Sequence, residues 1–272
     1  MISVISLREK AAWVRVRTLK IHGLSPATRI ASSLSPVDVL TVLFYGGILA
    51  FDAANPLWEG RDRFIVSKGH GAIGLYPIFA DLGFFPASAL DSAGKSGSFL
   101  GGIPDATVPG FETTNGSLGH GLGVACGVAM ALFAGEKSEH VFVLMGDGEL
   151  NEGSVWEAVM FAAQHKLGNL TLIVDRNRKC MLGECAGIMD LSPLDAKFAA
   201  FGWDVCTVDG HDTDALLPVL AASKDPGRTA PRLVIANTVK GKGVKVLEDD
   251  PISHVRTLNA AEVAAALVEV GS

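Results

Sequence analysis

The stretch "VFVLMGDGELNEGSVWEAVMFAAQHKLGNLTLIVDRN", residues 141–177, holds two short apolar runs separated by a segment of helical length. "VFVLM" (141–145) and "LTLIV" (170–174) are continuous rather than alternating, the mark of strands buried on both faces of a parallel sheet. Between them Val155, Trp156, Val159 and Ala163 share one helical stripe, so the stretch reads as strand, helix, strand. A right-handed crossover lays the two strands parallel, adjacent or nearly so. Asp147 and Asn177, each just past a strand end, then share one carboxyl edge, where open α/β sheets bind ligands.

Further runs of the same kind, "FIVS" (64–67), "DVCTV" (204–208) and "RLVIANTV" (232–239), alternate with helical stretches. The fold class is α/β, a doubly wound, mainly parallel sheet flanked by helices. Up to about residue 50 the chain reads as helices, with Ser35 as a cap and Pro36 opening a first turn. We find no repeat, low-complexity tract or linker, so residues 1–272 form one expected domain.

Composition narrows the function. A formal charge of −6 and scarce basic clusters argue against nucleic acid or an anionic membrane. No run approaches the roughly 20 apolar residues of a membrane span, and the amino terminus is charged too soon for a secretory signal, so a soluble cytoplasmic protein is expected. Cys126, Cys180, Cys185 and Cys206 lack the spacing of zinc or redox motifs and read as free thiols. A mean hydropathy of +0.34 hints at surface covered by another chain, or at a large core.

Gly146 and Gly148 flank Asp147, allowing a tight turn and close approach of a ligand to the main chain. A carboxylate, an amide oxygen and a nearby carbonyl are hard ligands for magnesium or calcium, with phosphate oxygens completing the shell. Taken singly, Asp147 is also a common helix cap and Asn177 a common turn residue. "DGELNE" lacks the sixth-position glycine of a calcium loop, and "GHGLGVACG" (119–127) neither follows an apolar strand nor carries the third glycine of a dinucleotide fingerprint.

Together the motifs resemble the transketolase family. "MGDGELNEGSVWEA" followed by "KLGNLTLIVDRN" is similar to its thiamine-diphosphate signature, and "FIVSKGHGAIGLY", "TTNGSLGHGLG", "KFAAFGWDVCTVDGHD" and "IANTVKGKGV" follow in family order over nearly the whole chain. The resemblance stops where the chain stops, after the family's first domain. It therefore implies the amino-terminal subunit of a split transketolase. A carboxy-terminal subunit would supply the pyrimidine-binding domain and the glutamate that activates the cofactor, in a dimer of two-chain units, a heterotetramer.

The resemblance also implies roles. Asp147, Asn177 and the main-chain carbonyl of Lys179 would hold the metal. His70 would lie against the diphosphate and Gly148 would meet it through its amide, with Gly146 and Glu149 also binding the cofactor. Gly116 and Leu118 would face the aminopyrimidine. His254 would stand near the thiazolium and donor, although the family's Trp-His-Gly is here Ser253-His254-Val255. Glu152 and Glu157 match interface glutamates of a proton network; otherwise they are helix-start charges.

Two departures concern the substrate. Arg29 in "TRIASSLS" and Ile103 in "GIPD" stand where the family places histidines against ketose hydroxyls. Each lost partner costs roughly 1–3 kcal/mol. The implied reaction moves a two-carbon unit from a ketose or 2-oxo acid to an aldehyde. An acyloin or deoxyxylulose-type synthase subunit with a 2-oxo acid donor paired to Arg29, or a non-catalytic cofactor-binding partner, are the alternatives.

Overall fold

Five parallel strands, all anticipated from the apolar runs, form the central sheet of a computed structural model that describes residues 6–271. Residues 1–5 of the expected helical segment lie outside the described residues, as does Ser272. The chain begins with α1 (Leu7–Leu24), α2 (Ile30–Leu34) and α3 (Val37–Tyr45), then β1 (Arg63–Val66) and α4 (Tyr76–Leu82). Next come α5 (Gly121–Ala134), β2 (Val141–Gly146), α6 (Gly153–Gln164) and β3 (Leu170–Arg176). A two-stranded hairpin, β4 (Lys179–Cys180) with β5 (Gly183–Glu184), leads into α7 (Cys185–Ile188) and α8 (Leu194–Ala200). β6 (Asp204–Asp209), α9 (Thr213–Ala221), β7 (Arg232–Asn237), α10 (Lys245–Glu248) and α11 (Ala260–Gly271) complete it.

The sheet order is β1-β2-β3-β7-β6. Continuous apolar strands serve two cores because successive side chains point to opposite faces. Phe142, Leu144, Ile173, Val234 and Ala236 join α1, α3, α4 and α9 in one core. Val143, Met145, Leu172, Val174, Leu233 and Ile235 join α5, α6 and α8 in the other. α5, α6 and α8 serve crossovers that run one way across the sheet, whereas β6 returns to β7 through α9 on the opposite face. A right-handed crossover changes face when its direction reverses, so the two cores follow from the strand order. β6 is an edge strand, and its "DVCTV" run is half-buried or exposed at most positions rather than buried on both faces.

Register places the site. Gly146 of β2 lies opposite Asp175 of β3, and Arg176 of β3 opposite Asn237 of β7, so three strands end together. Ser35 does not cap α3: the helix starts at Val37 without a side-chain cap, and the buried Ser35 hydroxyl donates to Asp175 at 2.6 Å instead. A buried carboxylate rewards that hydroxyl more than an already shielded helix start does.

At the opposite edge His140 is 4% exposed, with Nε2 2.8 Å from the Thr171 hydroxyl and its amide donating to Asp62 at 2.8 Å. Burial, reinforced by the Lys224 and Arg228 charges, pushes its pKa down to about 3. The folded chain therefore holds His140 neutral where the unfolded chain, with a pKa of about 6.5, takes up a proton. That contribution is present above pH 6.5 and lost as pH falls toward 3. Urea unfolding from pH 8 to 4 is expected to show falling stability below about pH 6.5, with a shallower slope in His140→Gln.

Candidate functional site

The carboxyl edge is tied together by a buried ion pair. Lys68, just past β1 and 1% exposed, bonds its ammonium to Asp175, which is fully buried near the end of β3. Burial would push the Asp175 carboxyl up, but the Lys68 ammonium and the Ser35 and Thr238 hydroxyls outweigh it and hold it below the ordinary carboxylate range. The Asn177 amide adds a bond to the same carboxylate at 3.2 Å.

Asp147 and Asn177 meet at this edge. The Asp147 amide donates to the Asp175 carbonyl at 3.3 Å, and its carboxylate accepts from the amides of Gly148 (2.9 Å) and Arg178 (2.5 Å). Burial pushes the Asp147 carboxyl up to about 6 despite those bonds. The Asn177 side-chain oxygen accepts from the Lys179 amide at 3.2 Å, and the Lys179 carbonyl accepts from the Lys240 ammonium at 2.8 Å.

A cavity of about 370 Å³ opens here, lined by Lys68, His70, Asp147, Asn177, Lys240 and His254 among others. The His70 and His254 rings stand 4.8 Å apart, centroid to centroid. Burial, then the Lys68 and His254 charges, pushes His70 down to about 2. Burial, then Lys240, Lys68 and Arg29, pushes His254 down to about 3. Both imidazoles are neutral. His254 Nδ1 lies 2.9 Å from the Lys240 ammonium, so Nδ1 accepts and Nε2 carries the proton toward other partners. Burial and the neighbouring Lys68 lower Lys240 to about 8.

The loop residues divide. Gly146, Gly148, Glu149, Leu118 and Glu152 line the cavity, and a Cβ at Gly146 would meet nothing within 4 Å, leaving its main chain open. Gly116 sits outside that lining, in an exposed turn against Ile103. Glu149, expected to face the cofactor, has its oxygens engaged by protein: Oε1 accepts from Ser67 and from the Gly119 amide at 2.8 Å, and Oε2 from the Gly146 amide at 3.3 Å. It clamps three segments, β1's end, the loop at 116–119 and β2's end. Gly119 takes φ +83°, a left-handed conformation suited to glycine, with Glu152 packed where a Cβ would be. Glu152 and Glu157 are exposed, as is Arg29 at the start of α2.

Sequence reasoning singled out no role for Lys68, Asp175 or Lys240. Each was visible as a signal: a Lys inside "SKGHG", an Asp inside an apolar strand and a Lys inside "TVKGKG".

Comparison with known proteins gives concordant findings. The family described as "Transketolase, thiamine diphosphate binding domain" matches residues 20–272. An apulose-4-phosphate transketolase subunit from Actinobacillus succinogenes is 38% identical over 271 residues, covering 99% of this chain and 97% of that one. The 6-deoxy-6-sulfo-D-fructose transketolase subunit SqwG of a Clostridium species is 35% identical over 267 residues, covering 98% and 96%. The transketolase structure from Campylobacter jejuni superposes with a TM-score of 0.90 at 30% identity, over 97% of this chain and 42% of that one. The chain thus spans less than half the length of that enzyme.

Lys68→Met strands the Asp175 carboxylate in the interior, and removing one partner of a buried pair costs about 3–5 kcal/mol. Urea unfolding is expected to show a loss of that order, with part of it recovered in Lys68→Met/Asp175→Asn; equal losses in both would refute the pairing argument.

Proposed function

Because the chain belongs to the transketolase family as its thiamine-diphosphate-binding domain, we propose that it is the amino-terminal subunit of a two-chain transketolase. It holds the diphosphate and metal, and a second chain covers the cavity. The observation that carries this reading is the convergence of Asp147, Asn177 and the Lys179 carbonyl with His70, His254 and Lys240 on one cavity.

The residues fit the groups they would hold. Among the described residues no three His, Cys, Asp or Glu side chains gather as a metal cluster. The donor set is instead one carboxylate, one amide oxygen and one carbonyl, hard ligands that magnesium or calcium completes with phosphate oxygens and water. The raised pKa of Asp147 marks a carboxylate whose ionised form a cation would stabilise. A carbonyl carries two lone pairs, so the Lys240 contact leaves one at Lys179 for a metal. The open main chain at Gly146 and the glycine at 148 admit phosphate oxygens without a side chain between.

Thiamine diphosphate, when bound, supplies the electron sink for breaking and forming carbon–carbon bonds next to a carbonyl. The chain supplies placement. Lys68 and Lys240 bring positive charge to a cavity that would receive an anionic diphosphate. Neutral His70 and His254 offer N–H donors to phosphate or substrate oxygens without adding fixed charge. Glu149 keeps Gly119 and Gly146 in mutual register, a positioning role exerted through main-chain amides. The exposure of Glu152 beside the cavity and of Glu157 along α6 supports their contact with another chain.

The donor is the finer part of the reading. Arg29 is exposed at the start of α2, and its charge adds to those that lower the His254 pKa. Ile103, 45% exposed against the Gly116 turn, offers no hydrogen bond to a sugar hydroxyl. Together they support a smaller donor with a carboxylate beside its reacting carbonyl, such as a 2-oxo acid, over an ordinary phosphorylated ketose, with an aldehyde as acceptor.

Calorimetric titration of thiamine diphosphate with magnesium, into this chain alone and with the candidate partner chain, is expected to show tight binding only with the partner. Asp147→Ala should weaken it by more than the about 10–100-fold typical of outer-shell changes, and no binding in either form would overturn the proposal. With the reconstituted pair, a donor panel should favour 2-oxo acids, and Arg29→His should shift kcat/KM toward ketoses by about 10-fold or more. Efficient transfer from xylulose 5-phosphate by the unaltered pair would refute the altered donor.

A further inference from the structure

Cys180 and Cys185 stand together on the hairpin that borders the cofactor cavity, and neither is used by the chemistry above. Cys180 pairs with Gly183 across the β4–β5 ladder, and Cys185 opens α7 directly after β5. The two cysteines are neighbours, and burial first, then the Asp147 charge and Cys180, push the Cys185 thiol up to about 12. Both are half-buried and free, Cys180 at the wall of the cofactor cavity and Cys185 at the wall of an adjoining cavity of about 350 Å³ that also reaches Asp147. Their position against the phosphate cradle is close: a Cβ at Gly148 would meet Cys180 Cβ at 2.9 Å and Cys185 Sγ at 3.8 Å.

The remaining cysteines are placed differently. Cys126 is buried on α5, its thiol 3.6 Å from the Ala158 carbonyl, and Cys206 lies on β6 beside Arg232.

We propose that Cys180 and Cys185 form a dithiol modification site, which a peroxide oxidises to an intramolecular disulfide that closes the cradle to diphosphate. The cradle part rests on the proposed function; the disulfide does not. One sulfur, that of Cys180 at the open cavity, attacks the peroxide oxygen, breaking the O–O bond to give a sulfenic acid and one water. The Cys185 sulfur then displaces the hydroxyl as a second water, forming the S–S bond. Two sulfurs give up one electron each, and the peroxide takes up both.

Bridging holds the start of α7 against the hairpin, because a disulfide fixes its Cβ atoms about 3.5–4.5 Å apart. Only two residue pairs hold the hairpin, and Gly183 at φ +128° bends it. Cys185 donates its amide to the Arg178 carbonyl at 2.9 Å, and Arg178 in turn donates its amide to Asp147. The constraint therefore reaches the Asp147 carboxylate and the Lys179 carbonyl through the chain itself.

The test treats the full chain with hydrogen peroxide, free and with thiamine diphosphate and magnesium in the presence of the partner chain. The expected result is a fall from four free thiols to two, a mass loss of about 2 Da and a mapped Cys180–Cys185 peptide. Cys180→Ser and Cys185→Ser should each abolish the loss, while Cys126→Ser and Cys206→Ser should not. Cofactor affinity should drop at least about 10-fold on oxidation, return with dithiothreitol, and stay unchanged by peroxide in Cys180→Ser. Four free thiols after treatment, a bridge to Cys126 or Cys206, or a disulfide that leaves affinity intact would overturn the proposal. If the reduced protein and partner bind no cofactor, the proposed function fails, while peptide mapping still decides the disulfide.

Discussion

A single buried contact, the Lys68 ammonium on the Asp175 carboxylate, governs the working edge of this sheet. β1 and β3 are not neighbours; β2 lies between them and ends at Gly146, in register with Asp175. Lys68 reaches across that end, and Ser35 and Thr238 bring α2–α3 and the segment after β7 to the same carboxylate. A charge buried this deeply is costly unless every partner is in place, so the four segments are held to one geometry. His70 and Asn177 follow two of the strands so fixed, and Asp147 follows β2 between them.

A second clamp works beside it. Glu149 gathers Ser67, Gly119 and Gly146 on one buried carboxylate, which orients main-chain amides rather than presenting a charge to the cavity. Positive charge reaches the cavity from Lys68 and Lys240, while the two histidines remain neutral because burial and those same ammonium groups oppose their protonation. The edge thus combines fixed cations, neutral donors and a carboxylate–amide–carbonyl set, a division of labour suited to an anionic ligand bearing a metal.

Apolar side chains cluster beside the same opening: Met181, Leu182, Ile188 and Met189 are each at least half exposed along the hairpin and α7. Their continuity with the cavity agrees with a second chain completing the site under the proposed function, since water-facing apolar groups of this extent favour burial. The hairpin is thereby drawn into three matters at once, the carbonyl of Lys179, the cover over the cavity and the paired thiols.

The order of strands and helices, the parallel sheet and the meeting of Asp147 with Asn177 were legible in the sequence. Continuous apolar runs, turn residues at their ends and a handed crossover are local rules with few competing solutions. The helix stripe in α6 was legible but centred slightly wrong: Ala158 and Ala162 are buried with Val155 and Val159, while Trp156 and Ala163 are only half-buried. Ser35 deceived because a hydroxyl before a helix usually caps it, and nothing local shows a carboxylate 140 residues further on. The partners of Glu149, the pairing of Lys68 with Asp175, the neutrality of His70 and His254 and the placing of Cys180 and Cys185 against Gly148 were decided only by the tertiary structure. Each depends on which distant groups share a buried space and on how far burial outweighs charge, and those quantities exist only once the chain has folded.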